Sequence, residues 1–396
     1  MTKSTSACNE TTLVSSQREC KELIIYCQNF NRIKSALKIN EIYRRVAACS
    51  YPVILATETS WDSSINNSEV FADKFNVYRD DRDKLLSNKK SGGGVLVAIS
   101  SDYESEEIAS KKHKEFDHVW VKSVIGNQVH IFGAVYFPPE GAKLESYKMF
   151  FSIADHILSK FESDANIHIY GDFNQNAADF IVDDQNESLL IPIVGENATL
   201  LTLFEKSAEI GLNQINHIRN QNNCYLDLLI TNMTDDFCVI EAPVPLWKNE
   251  VFHTAIEYSI FIHDNATILY TELSEPYFDF KHANYDIIKN KLNSIDWQTR
   301  IRDLSTEQAV IFFYQNIFVI LESAVPKKHR RKPNKNPMWY NKKIVNLKNR
   351  KQKAHKTYKK DKNDLILTIY LTICDQLNLE MKIAHEQYNR EMESNI

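Results

Sequence analysis

The sequence predicts a layered α/β fold, with mixed sheets covered by helices. Residues 23–262 alternate short apolar runs of strand length with stretches whose apolar residues recur at helical spacing. Some neighbouring runs are joined by a tight turn and others by a helix, so hairpins mix with crossovers. Past about residue 266 the strand pattern stops and long helical periodicities take over.

The elements follow in order. Leu23-Ile24-Ile25-Tyr26 reads as the first strand. Leu37, Ile39, Ile42, Tyr43, Val46 and Ala47 recur at helical spacing over 36–49, and Pro52 stops that helix just before the strand Val53-Ile54-Leu55. Gly92-Gly93-Gly94 precedes an apolar strand over 95–99. Strands at 118–125 and 128–136 meet through Gly126-Asn127, a hairpin turn. A helix at about 144–161, a strand at 166–170, a helix near 200–210 and strands near 225–231 and 254–262 complete this part. Helices are expected at about 281–293, 305–324, 339–360 and 364–392, with Pro326, Pro333 and Pro337 breaking the middle. The expected organisation is a disordered lead over 1–22, a catalytic-type domain over 23–266 and a helical connector over 267–396.

Composition narrows the classes. With 396 residues, 43% of them apolar, a sizeable core can form. The first twenty residues are polar and rich in Ser and Thr, unlike a secretory signal. No apolar run approaches the roughly 18–20 residues that span a bilayer. No membrane association and an intracellular location are therefore expected. The seven scattered cysteines form no C-x-x-C pair, which argues against a zinc site or disulfide framework. The net charge of −5 hides an asymmetry: residues 327–362 hold 16 Lys/Arg against Asp361 alone, or +15, leaving −20 elsewhere. Such a block suggests nucleic acid, RNA included, or simply a solvated helix. Trp339-Tyr340 within it could stack on bases or dock a helix.

The chemistry concentrates at strand ends. Ile167-His168-Ile169-Tyr170 reads as a buried strand delivering Gly171-Asp172-Phe173-Asn174, with Gly171 expected at the turn. In an extended segment Asp172 and Asn174 point the same way, and a carboxylate beside an amide can deprotonate and hold a water. Asn29 closes the first strand, Glu58 the second, and Tyr136 the strand before Pro138-Pro139. Asp227 stands among Leu226, Leu228 and Leu229, where an unpartnered acid is expensive, so it should hold a cation or orient a histidine. His253 precedes the last apolar strand. Carboxylates and amides gathered at strand ends suit a hard cation with oxygen ligands.

These residues resemble the endonuclease/exonuclease/phosphatase superfamily, which includes the apurinic endonucleases. The nearer likeness is to the endonuclease domain of jockey-type non-LTR retrotransposons. It rests on Tyr26-Cys27-Gln28-Asn29, Thr57-Glu58-Thr59 with Trp61, Tyr78-Arg79-Asp80-Asp81-Arg82, Gly92-Gly93-Gly94-Val95, Tyr136-Phe137-Pro138-Pro139, Gly171-Asp172-Phe173-Asn174, Leu226-Asp227-Leu228 and His253, in that order, over about 23–262. Val325-Pro326-Lys327-Lys328 and Asn336-Pro337-Met338-Trp339 resemble the connector before a reverse transcriptase, and the polymerase itself is expected to be missing. The resemblance implies a four-layered α/β/β/α sandwich of two mixed sheets followed by an all-helical extension, with the site at one mouth. It implies DNA nicking with Mg²⁺ or Mn²⁺, at a nuclear site of action. Glu58 would hold the metal with Asn29, Asp172 would activate water, Asn174 would position it, and Tyr136 would contact the phosphate. His253, oriented by Asp227, would stabilise charge there, while Arg82 and then Arg79 would contact the DNA backbone.

Two positions depart from the family pattern. Phe252 stands where an aspartate normally precedes the histidine, and Ile218 where threonine is usual. The alternative function is therefore a catalytically decayed nucleic-acid-binding remnant.

Overall fold

The computed structural model describes residues 20–83, 92–109, 112–140, 142–161, 165–183, 189–263, 277–328 and 336–394. All but the last three residues of the expected lead, and residues 329–335 of the basic segment, lie outside them.

Alternation sets the first strand. Along β1 (Cys20–Asn29), Leu23, Ile25 and Cys27 turn to one side and Tyr26 and Gln28 to the other, and all five are buried because both faces are covered. Helix α1 (Ala36–Ala48), capped by the Ser35 side chain, carries the chain to β2 (Val53–Thr57), which pairs parallel to β1. β3 (Phe75–Asp80) and β4 (Val95–Ser100) add antiparallel on one side; β14 (Ile256–His263) and β13 (Phe237–Glu241) add antiparallel on the other. The second sheet holds β5 (Glu104–Ala109), β6 (Asp117–Ile125), β7 (Gln128–Tyr136), β8 (Asn166–Asp172), β12 (Asp227–Thr231) and β11 (Asn213–Gln214) in that spatial order. β7 and β8 are parallel across helix α2 (Leu144–Leu158), and the remaining pairs are antiparallel. A small ladder of β9 (Phe180–Val182) and β10 (Leu190–Pro192) precedes helix α3 (Ala198–Glu209).

The layers follow from burial. Leu23, Ile25, Val53 and Leu55 of the first sheet interlock with Val121, Phe132, Ala134 and Leu229 of the second. Ile39, Ile42 and Val46 of α1 cover the outer side of the first sheet, against Tyr26, Ile54 and Leu96. Phe150, Phe151, Leu200 and Leu203 of α2 and α3 cover the second, against Trp120, Ile131 and Ile169. This is the layered α/β fold that the residue pattern predicts, in the four-layered α/β/β/α form with two mixed sheets that the resemblance implied. The Gly126-Asn127 turn has φ of +59° and +62°, the left-handed pair that a two-residue hairpin demands.

Three expectations need correction. Gly171 does not turn the chain: it lies within β8, where an added Cβ would stand 2.5 Å from the Val135 carbonyl oxygen. Its task is close approach of parallel strands. Strands β3, β5 and β13 carry Asp, Glu and Arg at or near sheet edges, so they read as polar segments. Nor do strands cease after residue 266: β15 (Tyr277–Phe278) pairs with β16 (Lys327–Lys328).

The chain divides into two compact units, Met1–Asn265 with Lys335–Ile396, and Ala266–Asn334. The second unit contains helices α4 (Tyr285–Asn293), α5 (Trp297–Ile301) and α6 (Thr306–Ala324), capped by Asn284, Asp296 and Ser305. In the first unit, α7 (Lys342–Lys360) and α8 (Asp364–Ser394) form an antiparallel pair. Ile344, Leu347, Ile373, Leu377 and Met381 pack with Ala47 and Ala48 of α1. Trp339 joins that cluster, 5.0 Å from the ring of His385 and 6.3 Å from that of Tyr43. Of the two readings offered for this aromatic, the docking one is observed.

The basic helix is also pinned by charge. Glu257 shares a side of the first sheet with Tyr26 and is fully buried. Tyr51 donates its hydroxyl to Glu257 Oε1 at 2.5 Å, and His355 Nε2 of α7 lies 3.2 Å from Oε2. Lys359 donates to Glu22 Oε1 at 2.5 Å and to Ser259 Oγ at 2.6 Å. Burial works against the Glu257 carboxylate, but His355, Tyr51 and Lys359 outweigh it and hold the group below its usual range. Among the described residues no helix is long and apolar enough to cross a membrane.

Candidate active site

Strand register gathers the site. β1 ends at Asn29, beside the end of β2, and Glu58 is the next residue on. Tyr136, Asp172 and Asp227 stand side by side across β7, β8 and β12, because β12 runs opposite to β8 and begins where β8 ends. Five strands of two sheets thus bring their polar ends to one mouth.

The contacts are specific. Asn29 Nδ2 donates to Asp172 Oδ2 at 3.1 Å and to Glu58 Oε1 at 3.4 Å. The Asn31 backbone N–H donates to Asn29 Oδ1 at 2.9 Å, which turns the amide nitrogen, not its oxygen, toward the acids. His253 Nδ1 lies 2.9 Å from Asp227 Oδ2, and Nε2 lies 3.7 Å from Asp172 Oδ2. A ligand atom from each of Glu58, Asp172 and His253 falls within 4.8 Å of the others. Glu58 has φ +50°, a left-handed backbone that non-glycine residues adopt at a cost.

Asn174 breaks the expected extended geometry. Its φ is +50°, so its direction is not set by strand alternation. Its backbone N–H donates to Asp172 Oδ1 at 3.1 Å and its Nδ2 to the Phe137 carbonyl at 2.6 Å. Tyr136 is nearly buried, and the Arg82 guanidinium sits 4.9 Å above its ring. Arg82 donates Nη2 to Asp117 Oδ2 at 2.7 Å and Nε to the same oxygen at 3.0 Å. Arg79 donates to Asn67 and to the Asp62 carbonyl, and pairs with Asp81 at 3.0 Å.

Several supports had no obvious signal. Asp117 takes both Arg82 and the Gly94 N–H, and an added Cβ at Gly93 would lie 2.5 Å from its Oδ2. The triple glycine, with φ of +92°, +75° and +86°, was the available clue. Asn216 donates Nδ2 to the Asp227 carbonyl at 2.7 Å, and nothing in the sequence marked it.

Electrostatics explain the clustering. Burial pushes the Asp172 carboxyl well above its ordinary range, against the pull of His253. Burial would push the His253 imidazole down, yet the carboxylates of Asp227 and Asp172 and the Asp227 hydrogen bond outweigh it and push it up to about 10. Burial first, then Glu58 and Asp172, raise the Tyr136 phenol. Three carboxyl groups crowd one imidazole, so added positive charge would favour their ionised forms. The spacing of Glu58, Asp172 and His253 could hold a metal ion, and Asn29 donates to both acids, so its amide nitrogen orients them and is not itself a ligand.

No protein-family model and no curated protein matches the chain. Among solved structures, it is similar to the endonuclease domain of TRAS1, a telomere-specific non-LTR retrotransposon, at 13% identity and TM-score 0.42, covering 61% of this chain and all of that one. It is also similar to the AP endonuclease LMAP from Leishmania major, at 10% identity and TM-score 0.43, covering 61% and 88%. A third likeness is to D. rerio TDP2 complexed with a single-strand DNA product, at 12% identity and TM-score 0.37, covering 61% and 98%.

Proposed function

We propose that this protein hydrolyses phosphodiester bonds of nucleic acid, nicking DNA as the endonuclease part of a non-LTR retrotransposon. The observation that carries the reading is the convergence of Glu58, Asp172 and His253, with Asp227 behind the histidine.

Each residue then has a task. Asp172, deep and desolvated, takes the proton of the attacking water. Asn174, fixed to Asp172 and to Phe137, steadies that end of the site. Asp227 holds His253 by Nδ1, and the imidazole, when protonated, offers a second N–H at Nε2 to phosphate oxygens where charge grows. Tyr136 contacts the scissile phosphate, braced by Arg82. Arg82 and Arg79 contact the DNA backbone, which requires their guanidiniums to exchange contacts with Asp117 and Asp81 for phosphate. Magnesium or manganese held by Glu58 would neutralise phosphate charge.

The test is nicking of supercoiled plasmid by the full chain, with Mg²⁺ and with EDTA, beside Asp172→Ala. Wild type should nick only with metal, and Asp172→Ala should fall by at least a thousandfold. Equal nicking by both would end the proposal. Phe252 in the family's aspartate position favours a second reading, a remnant that binds without cutting; binding without nicking under every metal condition would select it.

A further inference from the structure

The residue that departs from the family pattern is presented rather than hidden. Phe252 leaves 55% of its surface exposed and Val251 46%, directly before His253. A large apolar side chain held out beside a polar site is an informative exposure. Its backbone is clamped. Glu250 and His253 exchange backbone hydrogen bonds at 3.2 and 3.1 Å, and the Gln221 N–H donates to the Val251 carbonyl at 3.1 Å. Asn220 donates Nδ2 to the Phe252 carbonyl at 2.9 Å, while its Oδ1 accepts from Asn222 and Cys224 N–H. Among the described residues no aromatic ring packs on Phe252. Ile218, Cys224, Leu226 and Thr254 line a recess with it that reaches Asp227.

A phosphate at His253 carries its nucleoside on adjoining atoms, and a stiff ring one residue back offers that nucleoside an apolar face at little entropic cost. We propose that Phe252 is a stacking contact for the nucleoside next to the scissile phosphate. The site would then prefer nucleic acid whose base is unpaired or splayed at that point, a single strand or distorted duplex, over regular duplex. This rests on the phosphodiesterase reading.

The test uses the full chain in EDTA, so nothing is cut. A labelled single-stranded oligonucleotide with 2-aminopurine at its adenine positions reports binding by anisotropy and stacking by quenching. Phe252→Leu should weaken binding roughly tenfold and lose the quenching, and Phe252→Trp should restore both. Because the ring is half exposed, the variants should melt with the wild type. Equal binding and quenching by Phe252→Leu, or no binding by wild type, would overturn the inference. Plasmid nicking with Mg²⁺ is scored separately. Nicking with an indifferent Phe252→Leu sinks stacking alone; stacking without nicking sinks the hydrolase reading alone.

Discussion

At residue scale, the site is built from side chains that are costly where they stand. Glu58 accepts a left-handed backbone at φ +50°, and Asp172 is fully buried with the Asp227 carboxylate on the adjoining strand. Neither would persist in a site that used only packing. Glu58→Gly should therefore raise thermal stability, by about 1 kcal/mol if the strain is released, while abolishing nicking. A melting temperature that falls, or nicking that survives, would contradict that assignment. The residue types and their order were legible in the sequence, because carboxylates and amides at strand ends stand out against apolar runs. Orientation was not. Nothing in the sequence marks the Asn31 N–H, two residues on, as the group that turns the Asn29 amide, and Asn174 and Arg82 are held by partners distant in the chain, Phe137 and Asp117.

At element scale, strands buried on both faces and helices with one apolar stripe announced themselves, whereas edge strands did not. β5, Glu104–Ala109, carries three glutamates on an edge, where charge guards against unwanted pairing and also erases the strand pattern. The basic helix α7 shows the same division. Its buried residues, Ile344, Leu347 and His355, face the first sheet and its neighbours, while Lys342, Arg350, Lys353, Lys356 and Lys360 are exposed. The inner face is structural: His355→Ala leaves Glu257 buried with a missing partner and should cost about 3–5 kcal/mol, read as a lower melting temperature. The outer face carries the charge that the proposed contact with phosphate backbones, RNA or DNA, would use. Glutamine at the five exposed positions should flatten the salt dependence of binding without moving the melting temperature. An unchanged salt slope would reduce this face to a solvated surface, and a large loss of stability would mean the two faces are not separable.

At the scale of the whole molecule, the two sheets are tied by a polar thread through an apolar core. His130 of β7, His168 of β8 and Tyr258 of β14 link at 3.1 and 3.2 Å, all fully buried. Burial pushes both imidazoles down, His130 to about 4. Their unfolded value near 6.5 is higher, so the unfolded chain binds protons first on acidification. The stability they contribute is present above about pH 6.5 and drains away as pH falls toward 4. Urea unfolding at a series of pH values should show this decline, and a His130→Gln, His168→Gln protein should show a shallower one. A wild type equally stable at pH 7.5 and 4.5 would refute it.

The first unit is discontinuous in the chain: its sheets are complete by His263, yet the helices that cover Glu257 lie beyond residue 335. On a ribosome, that buried acid waits for its histidine on the order of ten seconds after its own strand has emerged. For that interval the nascent sheet presents an unsealed flank, and whatever shields it then is as much a condition of making this protein as the helices are of keeping it.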